Sequence, residues 1–347
     1  MLPRIGITLG DPAGIGSEIT ARMLTAEPIT ERCIPIVFGD ARVLEQGFAI
    51  IGARPNFRVL SSRNLENDLE PGHCYVYDLA DVAPADYNLG QVSAVAGRAA
   101  GEAIEAVVKL ALARQIDAIV TNPIHKESFR LAGYGQKYPG HTEMLAALTG
   151  AKSYCMMLST RTLRVCHVTT HVSLIDALTK YITPTRILEV IQLANEVGQQ
   201  LGVQSPVIGV AGINPHAGEH GLFGDDEKRL IQPAIDQALA LGIRVEGPVP
   251  PDTLFSKALG GWYTVAIAMY HDQGHIACKV AGFVYDQRTG KWSITGVNVT
   301  LGLPIIRTSV DHGTAFDRAG LGISDHLSLV EATYLAADLT RGRWPQQ

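Results

Sequence analysis

The stretch VSAVAGRAAGEAIEAVVKLALARQIDAIVTNP, residues 92–123, decides the fold class. Its first part, VSAVAGRAAGEAIEAVVKLALA, is Ala-rich and long enough for about six turns of helix. Its second part, IDAIVTNP, is a short apolar run closed by Asn-Pro, which reads as a strand. The same alternation continues on both sides. Upstream, RIGITLG (4–10) is a strand, followed by a helix from Gly16 to Leu24. CIPIVFGD (33–40) and HCYVYDL (73–79) are further strands. Downstream come the helix TEMLAALTG (142–150), the strands CMMLST (155–160) and LRVCHVTTH (163–171), and the helix TRILEVIQLANEVGQQLG (185–202). PVIGVAGINPH (206–216) is a strand, DEKRLIQPAIDQALALG (226–242) a helix and YTVAIAMYH (263–271) a strand. Alternating strands and helices predict a mostly parallel sheet covered by helices on both faces. VYDQRTGKWSI (284–294) breaks the pattern. Two β-prone runs flank Gln287-Arg288-Thr289-Gly290, which predicts a hairpin arm at 283–295.

Composition narrows the function classes. The chain has 347 residues, 46% of them hydrophobic and 18% charged, which is globular rather than disordered. That length suggests two lobes, each able to bury a core. The net charge of −5 offers no basic stripe for nucleic acid. No apolar run reaches the length of a membrane span. The opening IGITL is too short for a signal peptide. Five scattered cysteines, with no C-x-x-C, argue against a disulfide framework or a cysteine zinc site and favour a reducing cytoplasm.

Ligands of open α/β sheets gather at the carboxyl ends of strands. His171, His216 and His271 each close a predicted strand. Imidazoles are common ligands of divalent ions, and three protein ligands leave a position open for substrate. On the residues alone, a shared metal and three separate hydrogen-bonded loop histidines are evenly matched. Asp272 and Glu219 stand where carboxylates could orient such ligands.

In YPGHTEMLAALTG, Gly140, His141 and Thr142 open a helix, where free amides and the dipole favour phosphate or carboxylate. From that segment alone a plain Thr N-cap is the simpler reading. Lys279 and Arg307 are candidate anion-binding cations, although either singly reads as a surface charge. LGDPAGIGSEIT follows G-x-x-x-G-x-G, which is neither the G-x-G-x-x-G fingerprint nor a P-loop. Ser17 or Asp11 could cap the helix it begins.

Taken together, the motifs resemble one family, 4-hydroxythreonine-4-phosphate dehydrogenase of pyridoxal phosphate biosynthesis, with its 4-phospho-D-threonate and 4-phospho-D-erythronate dehydrogenase paralogues. The matching stretches are GDPAGIGSEI, TNPIHKE, YPGHTE, HVTTHVSL, GINPHAGEHGLFGDDE, GPVPPDTLF, AMYHDQGHIACK and GVNVTLGLPIIRTSVDHGTAFDRAG, running from residue 10 to about 320. The first and last also look like the corresponding loops of isocitrate and isopropylmalate dehydrogenases. That likeness implies their two-lobed α/β/α fold, with the active site in the interlobe cleft and a nucleotide on non-Rossmann loops. The implied lobes are 1–133 with 300–347, and 134–299.

The resemblance also implies roles. The metal ligands, catalytic through the metal, fall on His171, His216 and His271. Substrate binding falls on His141, Thr142, Lys279, Asn298 and Arg307. The cofactor loop falls on His312, Gly313, Thr314 and Ala315. A divalent metal (zinc, magnesium or cobalt), NAD or NADP, and a homodimer with an interface active site are implied as well, with no nucleic acid or membrane partner. The metal would act as a Lewis acid on the C3 hydroxyl, hydride would pass to the nicotinamide, and the 3-oxo acid would lose carbon dioxide.

Two features depart from the vitamin-biosynthesis members. The segment between Lys279 and Asn298 is longer by roughly ten residues, and it holds the predicted hairpin arm. Tyr138-Pro139 before GHTE looks closer to the paralogues. A terephthalate cis-dihydrodiol dehydrogenase is a more distant alternative, because LPIIRTSVDHGTA keeps the phosphate-substrate pattern. A metal-dependent lyase or hydrolase without nicotinamide, and a phosphometabolite-binding protein, are the readings from other classes.

Overall fold

A computed structural model of the protein describes residues 2–60, 65, 69–288, 291–294 and 296–342. The strands are β1 (Arg4–Thr8), β2 (Ile34–Gly39), β3 (Arg58–Val59), β4 (Tyr75–Asp78), β5 (Ala118–Thr121), β6 (Cys155–Ser159), β7 (Arg164–His167), β8 (Val207–Ala211), β9 (Arg244–Val249), β10 (Val265–Ala268), β11 (Phe283–Asp286), β12 (Lys291–Ile294), β13 (Val297–Leu301) and β14 (Ile306–Val310). The chain divides into two compact units. The first joins Met1–Lys152 to Leu303–Arg341; the second is built on Ser153–Gly302.

In the first unit the strand order is β3-β4-β2-β1-β5-β14 and every pairing is parallel. Each residue of β2 and β5 is buried, so both faces of this sheet are covered, as a parallel sheet requires. The helix Ala94–Leu112 shows how sequence produces the packing. Ser93 caps it, its side chain accepting from Ala96 N at 3.4 Å. A side chain at Gly97 would run into the carbonyl of Ser128, and one at Gly101 into the ring of Tyr134. Small residues along this helix therefore let the helix Lys126–Leu131 approach closely. The helix His141–Thr149 also belongs to this unit, because Met144 and Leu145 enter the core of Ile36, Phe38, Ile104 and Phe129. The division between the two compact units falls at Lys152/Ser153.

The second unit has the order β13-β6-β7-β10-β8-β9. Its sheet is mixed, although the pairings of the two units together remain mostly parallel, as expected. β7, β10, β8 and β9 run parallel, whereas β13–β6 and β6–β7 are antiparallel. The reason is the connection. β6 and β7 are joined by a tight turn in which Thr160 N donates to Leu163 O at 2.8 Å, and so short a link admits only antiparallel neighbours. β11 and β12 form an antiparallel ladder of their own, with Asp286 opposite Lys291. Thr289, Gly290 and Thr295 of the expected arm, and residues 343–347 of the expected first lobe, lie outside the described residues. No described helix is long and apolar enough to cross a membrane.

Candidate active site

β7, β10 and β8 are adjacent parallel strands, and the three candidate ligands follow their carboxyl ends. His171 lies in the loop after β7, His271 opens the helix His271–Gly282 after β10, and His216 follows β8. The rings of His171 and His271 stand 6.1 Å apart, centroid to centroid. Both line a cavity of about 360 Å³ together with Thr169, Ser173, Tyr270 and Asp272. His271 is held from two sides. Its Nδ1 lies 2.6 Å from Asp272 Oδ1, and the ring of His275 stacks on it at 3.6 Å with only 13° between planes. With Nδ1 donating to the carboxylate, Nε2 is left as the basic nitrogen, the arrangement that prepares a histidine for a metal. This donor chemistry fits a divalent ion.

His216 is placed differently. Its ring contacts Phe223 at 6.0 Å. Among the described residues no group of three His, Cys, Asp or Glu side chains gathers closely enough to hold a metal. The backbone around His216 is unusual. His216, Ala217, Gly218, Glu219, His220 and Gly221 have φ values of 53°, 53°, 82°, 40°, 57° and 96°, a run of six positive-φ residues of which only two are glycine. Each non-glycine residue there costs about 1–2 kcal/mol, and such residues normally occur singly.

The anion-binding candidates fall in both units. In the first, His141 begins its helix after Gly140, and no side chain caps that end, so the expected Thr142 N-cap is absent. Asp11 and Ser17 do not cap the Gly16–Ala26 helix either; Asp11 Oδ1 accepts from Ala13 N at 2.9 Å instead. Burial, with the nearby Arg307 guanidinium, pushes the His141 imidazole down to about 3, so it is neutral at pH 7. Arg307 on β14 is only 3% exposed, and burial lowers it to about 10. Its Nε and Nη2 both donate to Thr121 Oγ1, at 3.2 and 2.7 Å. In the second unit, Lys279 lies in the last turn of the His271–Gly282 helix, and Asn298 on β13 has a buried Oδ1 with no hydrogen-bond partner among the described residues.

The loop His312–Ala315 follows β14 in the first unit. Ile15 N donates to Thr314 O at 3.1 Å, and a side chain on Gly14 would press within 3.0 Å of Thr314. The glycine-rich opening loop and the candidate cofactor loop are therefore packed together. Gly313 has open space where a side chain would be, and Ala315 has φ 45°. Sequence reading missed two residues that shape this region. Glu18 is buried, and its carboxylate accepts from Gly320 N at 2.5 Å and Gly322 N at 3.0 Å. His125 stacks on Phe316 at 4.4 Å. Neither pairing has a local signature, since the partners are about 200 or more residues apart in the chain.

The pattern of pyridoxal phosphate biosynthetic protein PdxA matches residues 31–336. The chain belongs to the PdxA family. Among its relatives, the putative D-threonate 4-phosphate dehydrogenase of Oceanobacillus iheyensis is 48% identical over 97% of this chain and 98% of that protein. The D-threonate 4-phosphate dehydrogenase of Cupriavidus necator is 46% identical over 99% and 98%. The crystal structure of 4-hydroxythreonine-4-phosphate dehydrogenase from Klebsiella pneumoniae is 41% identical, covers 98% of each chain and superposes with a TM-score of 0.85. PdxA membership thus extends to the whole fold.

Proposed function

We propose that the protein is a metal- and nicotinamide-dependent dehydrogenase that oxidises the C3 hydroxyl of a 4-phosphorylated hydroxy acid, with 4-phospho-D-threonate the preferred substrate. The observation that carries the chemistry is the pair His171 and His271 facing one cavity, with Asp272 fixing the tautomer of His271. His171, His216 and His271 would hold the divalent ion, zinc, magnesium or cobalt. A homodimer in which a second copy completes the ligand set belongs to this reading. It is supported by the absence of a three-ligand cluster among the described residues of one chain. Five buried cysteines, none in a disulfide, fit a reducing cytoplasm.

When bound, the metal supplies Lewis acidity to the hydroxyl and NAD or NADP supplies the hydride acceptor. The chain's own residues bind and orient. Arg307, Lys279, Asn298 and the open helix start at His141 and Thr142 take the phosphate and carboxylate. Thr121 fixes the guanidinium of Arg307, and a neutral His141 adds hydrogen bonding without charge. His312, Gly313, Thr314 and Ala315 form the loop for the nicotinamide cofactor, where glycine lets a ligand approach the backbone.

The higher identities to relatives named for D-threonate 4-phosphate support that substrate. The Klebsiella pneumoniae structure, named for 4-hydroxythreonine 4-phosphate, supports the second reading, the amino-acid substrate of pyridoxal phosphate biosynthesis. The test is a substrate panel of 4-phospho-D-threonate, 4-phospho-D-erythronate and 4-phosphohydroxy-L-threonine, read by nicotinamide reduction. The highest kcat/KM with 4-phospho-D-threonate is expected; a preference for the amino acid overturns the substrate assignment.

A further inference from the structure

The left-handed run from His216 to Gly221 needs something outside its own sequence to hold it, because four of its six residues, His216, Ala217, Glu219 and His220, are not glycine. Glu227 is placed to do this. It opens the π-helical turn Glu227–Ile231 and is 5% exposed. Its Oε1 accepts from the amides of Ile213 and Asn214, each at 2.7 Å. Its Oε2 accepts from Asn214 Nδ2 at 3.0 Å, and that same amide group donates to Asp226 Oδ2 at 3.0 Å. Side chains on Gly212, ahead of the run, and on Gly218, within it, would meet the carboxylate. A Cβ on Gly212 would stand 3.3 Å from Oε1, and one on Gly218 2.7 Å from Oε2. The carboxylate therefore fills the inside of the turn that carries His216. No ion pair to Lys, Arg or His reaches Glu227 among the described residues, so N–H donors alone balance its charge.

We propose that Glu227 is a positioning residue: by clamping the amides of Ile213 and Asn214 it holds the backbone of His216 in its left-handed conformation and aims that imidazole for metal binding. The inference rests on the reading of His216 as a metal ligand. It adds the device by which the chain presents that ligand. Without the carboxylate, two main-chain amides lose their acceptor and Asn214 Nδ2 keeps only Asp226, the turn relaxes toward ordinary backbone conformations, and the ring leaves its position. Asp226 shares only the side-chain amide of Asn214, so its loss leaves the main-chain clamp in place.

The experiment is cobalt(II) titration of the full-length protein, following the ligand-field absorption of the bound ion. Wild type is compared with Glu227→Ala, Glu227→Gln, Asp226→Asn and His216→Ala. Glu227→Ala is expected to weaken cobalt binding 10–100-fold and to alter the absorption spectrum. Glu227→Gln falls between, because its amide keeps one acceptor but turns an N–H toward Asn214 Nδ2. Asp226→Asn binds as wild type. If Glu227→Ala does not fold, Glu227→Gln decides by the same criterion. Wild-type affinity and spectrum in the Glu227 variants, with cobalt binding lost in His216→Ala, overturn the positioning role alone. Wild-type binding in His216→Ala overturns the ligand reading, and the role of Glu227 with it.

Discussion

The rings of His171 and His271 stand 6.1 Å apart beyond the ends of neighbouring parallel strands, and Asp272 Oδ1 lies 2.6 Å from Nδ1 of His271. Replacing Asp272 with Asn trades the carboxylate for a neutral amide, a weaker acceptor that can also present a donor to Nδ1, and so loosens the hold on the tautomer. We expect Asp272→Asn to weaken divalent-ion binding about 10–100-fold while the protein stays folded. Metal content after dialysis, with thermal unfolding as the control, checks it. Unchanged retention would show that Asp272 has no hold on the ligand.

Arg307 makes its case through rigidity. Both Nε and Nη2 bond to Thr121 Oγ1, which leaves the guanidinium fixed within a buried site. Lysine keeps the charge but cannot reproduce the planar fork. Arg307→Lys should raise KM for the phosphorylated substrate at least about 10-fold, the cost of roughly one charge-assisted hydrogen bond. Thr121→Val should do so more weakly. Steady-state kinetics separate these, and equal KM values for wild type and Arg307→Lys would remove Arg307 from the anion site.

His141 gives the protein an acid sensitivity of defined sign. Its folded value is about 3, against about 6.5 unfolded, because burial and Arg307 both oppose its charge. Between those values the unfolded chain binds the extra proton. Stability from this group is therefore complete above about pH 6.5 and is lost as pH falls toward 3. His141→Asn should lose about 1–2 kcal/mol less than wild type between pH 7.5 and pH 5.0 in urea unfolding. The same loss in both proteins would contradict a neutral buried His141.

The glycine-rich tail loop is tied to the opening helix by Glu18, whose two oxygens accept from Gly320 and Gly322. Glu18→Gln turns one acceptor into a donor and should cost about 1–3 kcal/mol of stability. It should also raise KM for the nicotinamide several-fold with metal binding unaffected. A nicotinamide KM equal to wild type would detach this loop from the cofactor.

The alternation of apolar runs and helical patterns was enough to place β1, β2, β5, β8 and β10, because strands buried on both faces read as unbroken apolar stretches. The antiparallel entry of β13, β6 and β7 was hidden, because direction depends on the Thr160–Leu163 turn and not on hydrophobicity. The strand-end positions of His171, His216 and His271 were legible for the same topological reason. The left-handed run at His216 was not, since alanine and glutamate carry no signal for positive φ and histidine only a weak one. The clamp by Glu227 and the tether by Glu18 depend on partners that the fold alone brings near. The helix at His141 sided with the first unit through Met144 and Leu145, two apolar residues whose destination the local pattern does not specify.

The most direct test of the whole account is nicotinamide reduction by 4-phospho-D-threonate in enzyme as purified, stripped with chelator, and reloaded with one divalent ion. Turnover is expected in the first, none in the second and recovery in the third. Undiminished reduction by fully stripped enzyme, or no reduction with any of the three phosphorylated substrates after reloading, would contradict it.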